Sequence, residues 1–219
     1  YWLTQTETSE NLGVGTYMEH ARNYLKATVK SIKFALEHKT KKHDIQAGLT
    51  YRIENITEDS KEYEMRDSSG YSIPHTGEDL YMIYSLKAKN TLDANRLETY
   101  IQDTWRFSSK GEHTFFTLNY GIRFSHWNFN KESIISPRIS LGIVPAFNHD
   151  VTMRFATGIY YQAPFYKELR DTTTINGITY ATLNNKIKSQ RSIHFIAGFD
   201  YRFKMKDRPY KFTAEAYYK

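Results

Sequence analysis

Arg106, Arg123, Arg138 and Arg154 are the residues of this sequence best equipped for recognition chemistry, and each falls on the polar phase of a segment that alternates apolar and polar residues. A guanidinium is a fixed fork of donors. It can grip a carboxylate through two parallel N–H···O bonds or line a path for an anionic ligand. The competing role is hydration or cross-strand pairing inside a wall. Gln162 shares the same phase. A second group, Tyr63, Tyr71, His75 and Tyr81, lies in the longest connecting stretch, where aromatic and polar side chains on a rigid scaffold give contact area and specificity. Catalysis finds no footing. The 8 His are scattered singly, and no HExxH spacing, Ser/His/Asp arrangement, P-loop or dinucleotide fingerprint occurs. Asp59, Glu62 and Glu64 read as a solvated loop. No enzyme activity, metal site or cofactor is expected.

The elements that must position these residues are strands. In Phe115–Trp127, Phe116, Leu118, Tyr120, Ile122 and Phe124 oppose Thr117, Asn119, Gly121, Arg123 and Ser125, a period of two that sends the sets to opposite faces of a sheet. The same rule holds around Arg138–Ile143, Val151–Gln162 and Ser192–Phe203, and upstream around Leu97–Phe107 and Ile45–Glu54. Asp103 interrupts one apolar face. Tyr24–Leu36 changes phase near Lys30, which a bulge explains; its Leu25, Val29, Ile32 and Leu36 also fit a short amphipathic helix. Connections alternate between short (40–43, 108–113, 145–150, 205–209) and long (55–95, 128–136, 163–190), the longest with room for its own hairpin around 80–88. Pro137 and Pro164 read as residues near outer strand ends, where a missing N–H removes few ladder bonds.

Strands of about ten residues, short turns on one side and longer loops on the other describe a transmembrane barrel with lipid outside and water inside. Composition agrees. With 25% charged residues and a mean hydropathy of -0.65, nothing approaches the roughly 18 apolar residues of a membrane-spanning helix. Yet 18 Tyr, 13 Phe and 3 Trp suit aromatic belts at two membrane edges. The absence of Cys excludes disulfides and thiolate metal sites, and the net charge of +6 is too evenly spread for a nucleic-acid partner. The expected fold is all-β, an antiparallel up-and-down barrel segment of about eight to ten strands covering 1–219 as one unit. An unclosed barrel leaves two bare edges, so the chain reads as a fragment. A soluble β-rich binding module stays open as an alternative, as does a barrel acting as adhesin or enzyme.

An ordered set of short stretches resembles the TonB-dependent outer-membrane receptor family, Bacteroidetes-type: Tyr100–Asp103, Asn119–Arg123, Ser136–Arg138, Arg154–Phe165 and Glu215–Lys219. The resemblance covers roughly Tyr24 onward. It implies a barrel of about 22 strands in a Gram-negative outer membrane. It also implies a plug domain, energy from the TonB complex, room for a surface lipoprotein, and import of a scarce ligand such as an iron chelate, cobalamin, glycan or peptide. Ser136, Pro137, Tyr161, Ala163 and Pro164 become structural family positions, and the polar phase becomes the lumen face, where the arginines would meet plug carboxylates or ligand.

Overall fold

The computed structural model describes residues 17–66, 81–109, 111 and 113–219. Alternation becomes strand throughout: β1 (Tyr17–Lys39), β2 (His43–Arg66), β3 (Tyr81–Ser108), β4 (Phe115–Trp127), β5 (Glu132–Val144), β6 (Val151–Gln162), β7 (Arg170–Ile175), β8 (Ile178–Leu183), β9 (Gln190–Met205) and β10 (Arg208–Tyr218). One sheet contains all of them, in the order β1-β2-β3-β4-β5-β6-β9-β10, with β7 and β8 as a side branch. The sheet is open, a partial antiparallel barrel whose ends are β1 and β10. The helical spacing in Tyr24–Leu36 has no helical counterpart, since that stretch is β1.

Contacts divide the chain into two units. One holds 29–54, 94–165 and 185–219. Its register fixes the faces, because partners opposite one another in an antiparallel ladder point the same way. Gln102, Gly121, Arg138, Gly158 and His194 form one polar row. Trp105, Leu118, Leu141, Phe155 and Ala197 form an apolar row. Ile101, Ile122, Ile139, Phe155 and Phe195 on the apolar phase are 46–53% exposed. No second layer covers them among the described residues. A soluble monomer rarely bares an apolar patch beyond about 300–600 Å², and this one runs across β3 to β9.

Asp103 sits on that apolar phase yet is 8% exposed. His43 Nδ1 lies 2.7 Å from its Oδ2, and the Tyr120 hydroxyl donates to the same oxygen at 2.9 Å. The His43 ring stacks on Trp105. A carboxylate on an apolar surface persists only when hydrogen-bonded, and these two partners serve its Oδ2, while Oδ1 is buried without a partner among the described residues.

Three expectations need correction. The 128–136 connection is a tight turn at 128–131, because β5 already starts at Glu132. Pro137 is therefore inside β5, opposite Ile122 of β4. The ladder from β5 to β6 begins at Arg138, one residue after it, as expected where an N–H is missing. Pro164 does lie beyond its strand, which ends at Gln162. The 55–95 stretch is not one long loop, since among the described residues β2 runs on to Arg66 and the alternation around 80–88 belongs to β3, which starts at Tyr81.

The other unit holds 17–28, 55–66, 81–93 and 166–184 of the described residues. Here a 3₁₀ turn, Tyr166–Leu169, leads into the β7–β8 hairpin. Its two-residue turn is Asn176-Gly177, with φ of 49° and 77°, the left-handed pair that a tight hairpin demands. β8 then adds to β3 in parallel through Leu86–Ala88 and Thr179–Ala181. Ala88, Leu92, Leu169 and Ala181 are at most 3% exposed and form a small core.

A Cβ at Gly177 meets nothing within 4 Å, so only its backbone conformation constrains it. Gly177→Val should loosen the hairpin by about 1–2 kcal/mol, read as faster amide exchange confined to β7 and β8. Unchanged exchange there would contradict the turn assignment.

Candidate functional site

On the polar phase, β1 to β6 line a trough of ≈ 630 Å³. Gly48 and Gly121 keep its floor low. A Cβ at Gly48 would collide with the Tyr100 ring, and one at Gly121 would stand 2.7 Å from the Gln102 Cβ. Both larger side chains therefore lie along the wall. Neutral groups are tied to one another: Gln102 Nε2 donates to Gln46 Oε1 at 2.9 Å, Thr104 to Asn119 at 2.7 Å, and Asn119 Nδ2 to Ser140 at 3.1 Å.

The four sequence-predicted arginines share this phase but not one environment. Arg154 is neutralised, its Nη2 donating to Asp200 at 3.3 Å and Glu215 at 3.0 Å. Asp200 also accepts from the Thr213 hydroxyl at 2.8 Å and pairs with Lys211 at 3.3 Å. Arg106 lies by the β1–β2 turn, where its backbone N–H donates to the Lys42 carbonyl at 2.7 Å. Arg123 and Arg138 line the trough with Lys33. The Arg138 guanidinium lies 4.4 Å from the Tyr160 ring centroid. Among the described residues no carboxylate pairs with Arg123 or Arg138. Gln162 opposes Gln190 at the end of the β6–β9 ladder.

The loop candidates fare unevenly. Tyr63 stacks on His20 at 4.8 Å, a strand-to-strand contact. Tyr71 and His75 lie outside the described residues, and Tyr81 is the first residue of β3. Ser136 is buried in β5, Tyr161 lies in β6, and Ala163 follows that strand.

A cluster absent from the sequence expectations is centred on Glu58. It is 5% exposed and accepts from the Tyr166 hydroxyl at 2.8 Å, Arg170 Nη1 at 2.8 Å and Asn90 Nδ2 at 3.1 Å. Asn90 Nδ2 also donates to the Ala181 carbonyl at 3.1 Å, so one carboxylate holds the 3₁₀ turn and hairpin against β2 and β3. Burial pushes the Glu58 carboxyl up, but the hydrogen bonds from Asn90 and Tyr166 and the charge of Arg170 outweigh it and hold it below its ordinary value. The Tyr166 phenol is driven far above its usual range by burial and by Glu58. In the other unit Glu132 fastens the segment before β9, accepting Ser189 N–H at 3.0 Å, Ser189 O–H at 2.7 Å and Asn130 Nδ2 at 3.1 Å.

The family model for the TonB dependent receptor-like β-barrel matches residues 2–219. The chain belongs to that family. It is an outer-membrane family. No match was found among curated proteins. Among solved structures, a mutant of the ferric enterobactin receptor PfeA from Pseudomonas aeruginosa is 14% identical, with a TM-score of 0.43 over 82% of this chain and 32% of that one. The RagAB peptide transporter is 11% identical, with a TM-score of 0.44 over 85% of this chain and 22% of that one. The chain thus spans about a third or less of the solved chains it resembles.

In this TonB-dependent receptor-like barrel, Glu58 generates a signed pH prediction. Its folded pKa is depressed, so the stability it contributes is present above the unfolded carboxylate value and is lost as pH falls through the folded one. Amide protection of β7 and β8 should be full above about pH 5 and weaken progressively as pH falls below the ordinary glutamate value of about 4.3. Glu58→Ala should remove about 1–3 kcal/mol of that protection at neutral pH by leaving the Tyr166 hydroxyl, Asn90 and the half-buried Arg170 without their shared acceptor. Protection indifferent to both changes would show that the hairpin is held by something else.

Proposed function

We propose that this chain forms part of the wall of a TonB-dependent receptor that imports a scarce ligand across a Gram-negative outer membrane. The single observation supporting this reading is the one-layer sheet with an uncovered apolar phase and a charged polar phase. Lipid covers the first, and the second faces the lumen. On that reading the turns at 40–42, 145–150 and 206–207 are periplasmic, and the 128–131 and 163–189 connections are external. Trp105, Phe107 and Phe116, in contact through rings 4.5–5.0 Å apart, sit in the inner aromatic belt.

An open sheet edge is untenable in lipid, so β1 and β10 pair with further strands of a closed barrel of about 22 strands. Its lumen holds a plug, and the plug links import to the TonB complex. The wall has no catalytic part. The imported ligand is an iron chelate, cobalamin, glycan or peptide, and the external face accommodates a surface lipoprotein.

Spin labels test the phase assignment. A label at Phe155 should collide with oxygen dissolved in lipid, and a label at neighbouring Ala156 should not. Equal oxygen accessibility at the two positions would remove the membrane reading. Phe155→Arg should cost about 2–4 kcal/mol on the lipid face, seen as a loss of heat-modifiable barrel on gels, while Ala156→Arg should assemble normally.

A further inference from the structure

We propose that Arg123 and Arg138 form one oxyanion-binding site in the wall, taking a carboxylate or phosphate group. The proposal rests on the reading of the polar phase as lumen. Arg123 opposes Ser136, and Gly121 opposes Arg138, so the two arginines are diagonal neighbours on the same face of the β4–β5 hairpin. Diagonal neighbours stand roughly 7–8 Å apart, and two long guanidinium side chains at that spacing can close on a single anion.

Their surroundings prepare them for it. The Arg138 guanidinium rests over the Tyr160 ring, which stacks in turn on His194 at 4.5 Å. Stacking engages the face of the guanidinium and leaves its N–H edge free to donate. Gly158 makes room beside it, since a Cβ there would stand 3.0 Å from the Arg138 Cγ. Lys33 adds a third cation to the same trough.

Some other arginines of this wall face carboxylates. Arg154 has Asp200 and Glu215, and Arg96 has Glu54 at 3.6 Å. Arg123 and Arg138 instead share one trough with Lys33, and neither pairs with a carboxylate among the described residues. The oxyanion can come from a plug side chain or from a diffusing carboxylate-bearing solute. The chemistry of recognition is the same.

The test uses the longer receptor chain that carries this wall, purified in detergent and labelled with the arginine reagent phenylglyoxal. Modification of Arg123 and Arg138 is read by mass spectrometry, and citrate serves as the soluble probe. Heat-modifiable migration first establishes that the barrel is intact; without it the wall reading fails, not the site. In an intact barrel, labelling that falls about tenfold in citrate, with protection of Arg123 relieved by Arg138→Lys, supports a site filled from solution. Protection without citrate that disappears in about 1 M NaCl supports a plug carboxylate. Labelling indifferent to citrate and salt overturns the proposal, as does protection that withstands salt, which would be steric cover alone.

Discussion

Strand register is the constraint on which the rest of the structure depends. Each antiparallel pairing fixes which side chains share a face, and a slip of one residue would exchange the two faces entirely. From β3 to β9 the pairings agree, so Ile101, Ile122 and Ile139 stay on one side while Gln102, Gly121 and Arg138 stay on the other. The exposed apolar phase is then a consequence of the ladder and needs no buried core. Trp127, Val151 and Ala94 are the only hydrophobic residues of that unit below 9% exposure among the described residues.

Carboxylates obey a second constraint set by the first. Asp103, on the apolar phase, has His43 and Tyr120; Glu58 has Tyr166, Arg170 and Asn90; Asp200 has Arg154, Lys211 and Thr213. All three are at most 8% exposed, where an unpaired charge would cost several kcal/mol. Exposed cations face no such demand. Arg123 and Arg138 remain exposed with no carboxylate partner among the described residues, which a buried acid could not do.

Period-two alternation made β4, β6, β9 and the faces of their arginines legible in the sequence, because hydropathy reports directly on a sheet with one apolar side. It fails where both sides are polar. Glu58, Lys61, Glu62 and Glu64 conceal the continuation of β2 to Arg66 in this way. Pro137 misled for a different reason: its missing N–H interrupts pairing with β6 but leaves pairing with β4 intact. The β7–β8 hairpin had a readable signal in Asn176-Gly177 between β-branched residues. The Glu58 cluster had none, since Arg170 lies 112 residues away and only the docked hairpin brings it there.

That docking also shows how a long connection can be ordered at modest cost. β8 shares only three residue pairs with β3, and the apolar core beneath is small. Fixing the backbone of a residue costs about 1–2 kcal/mol, more than this core returns for the whole 166–184 segment. The hairpin's own ladder and the hydrogen bonds of Glu58 must supply the difference. Because those bonds converge on one carboxylate, they are lost together. The segment should therefore leave β2 and β3 as a unit, through a local opening whose stability is set at Glu58 and is separable from that of the barrel wall.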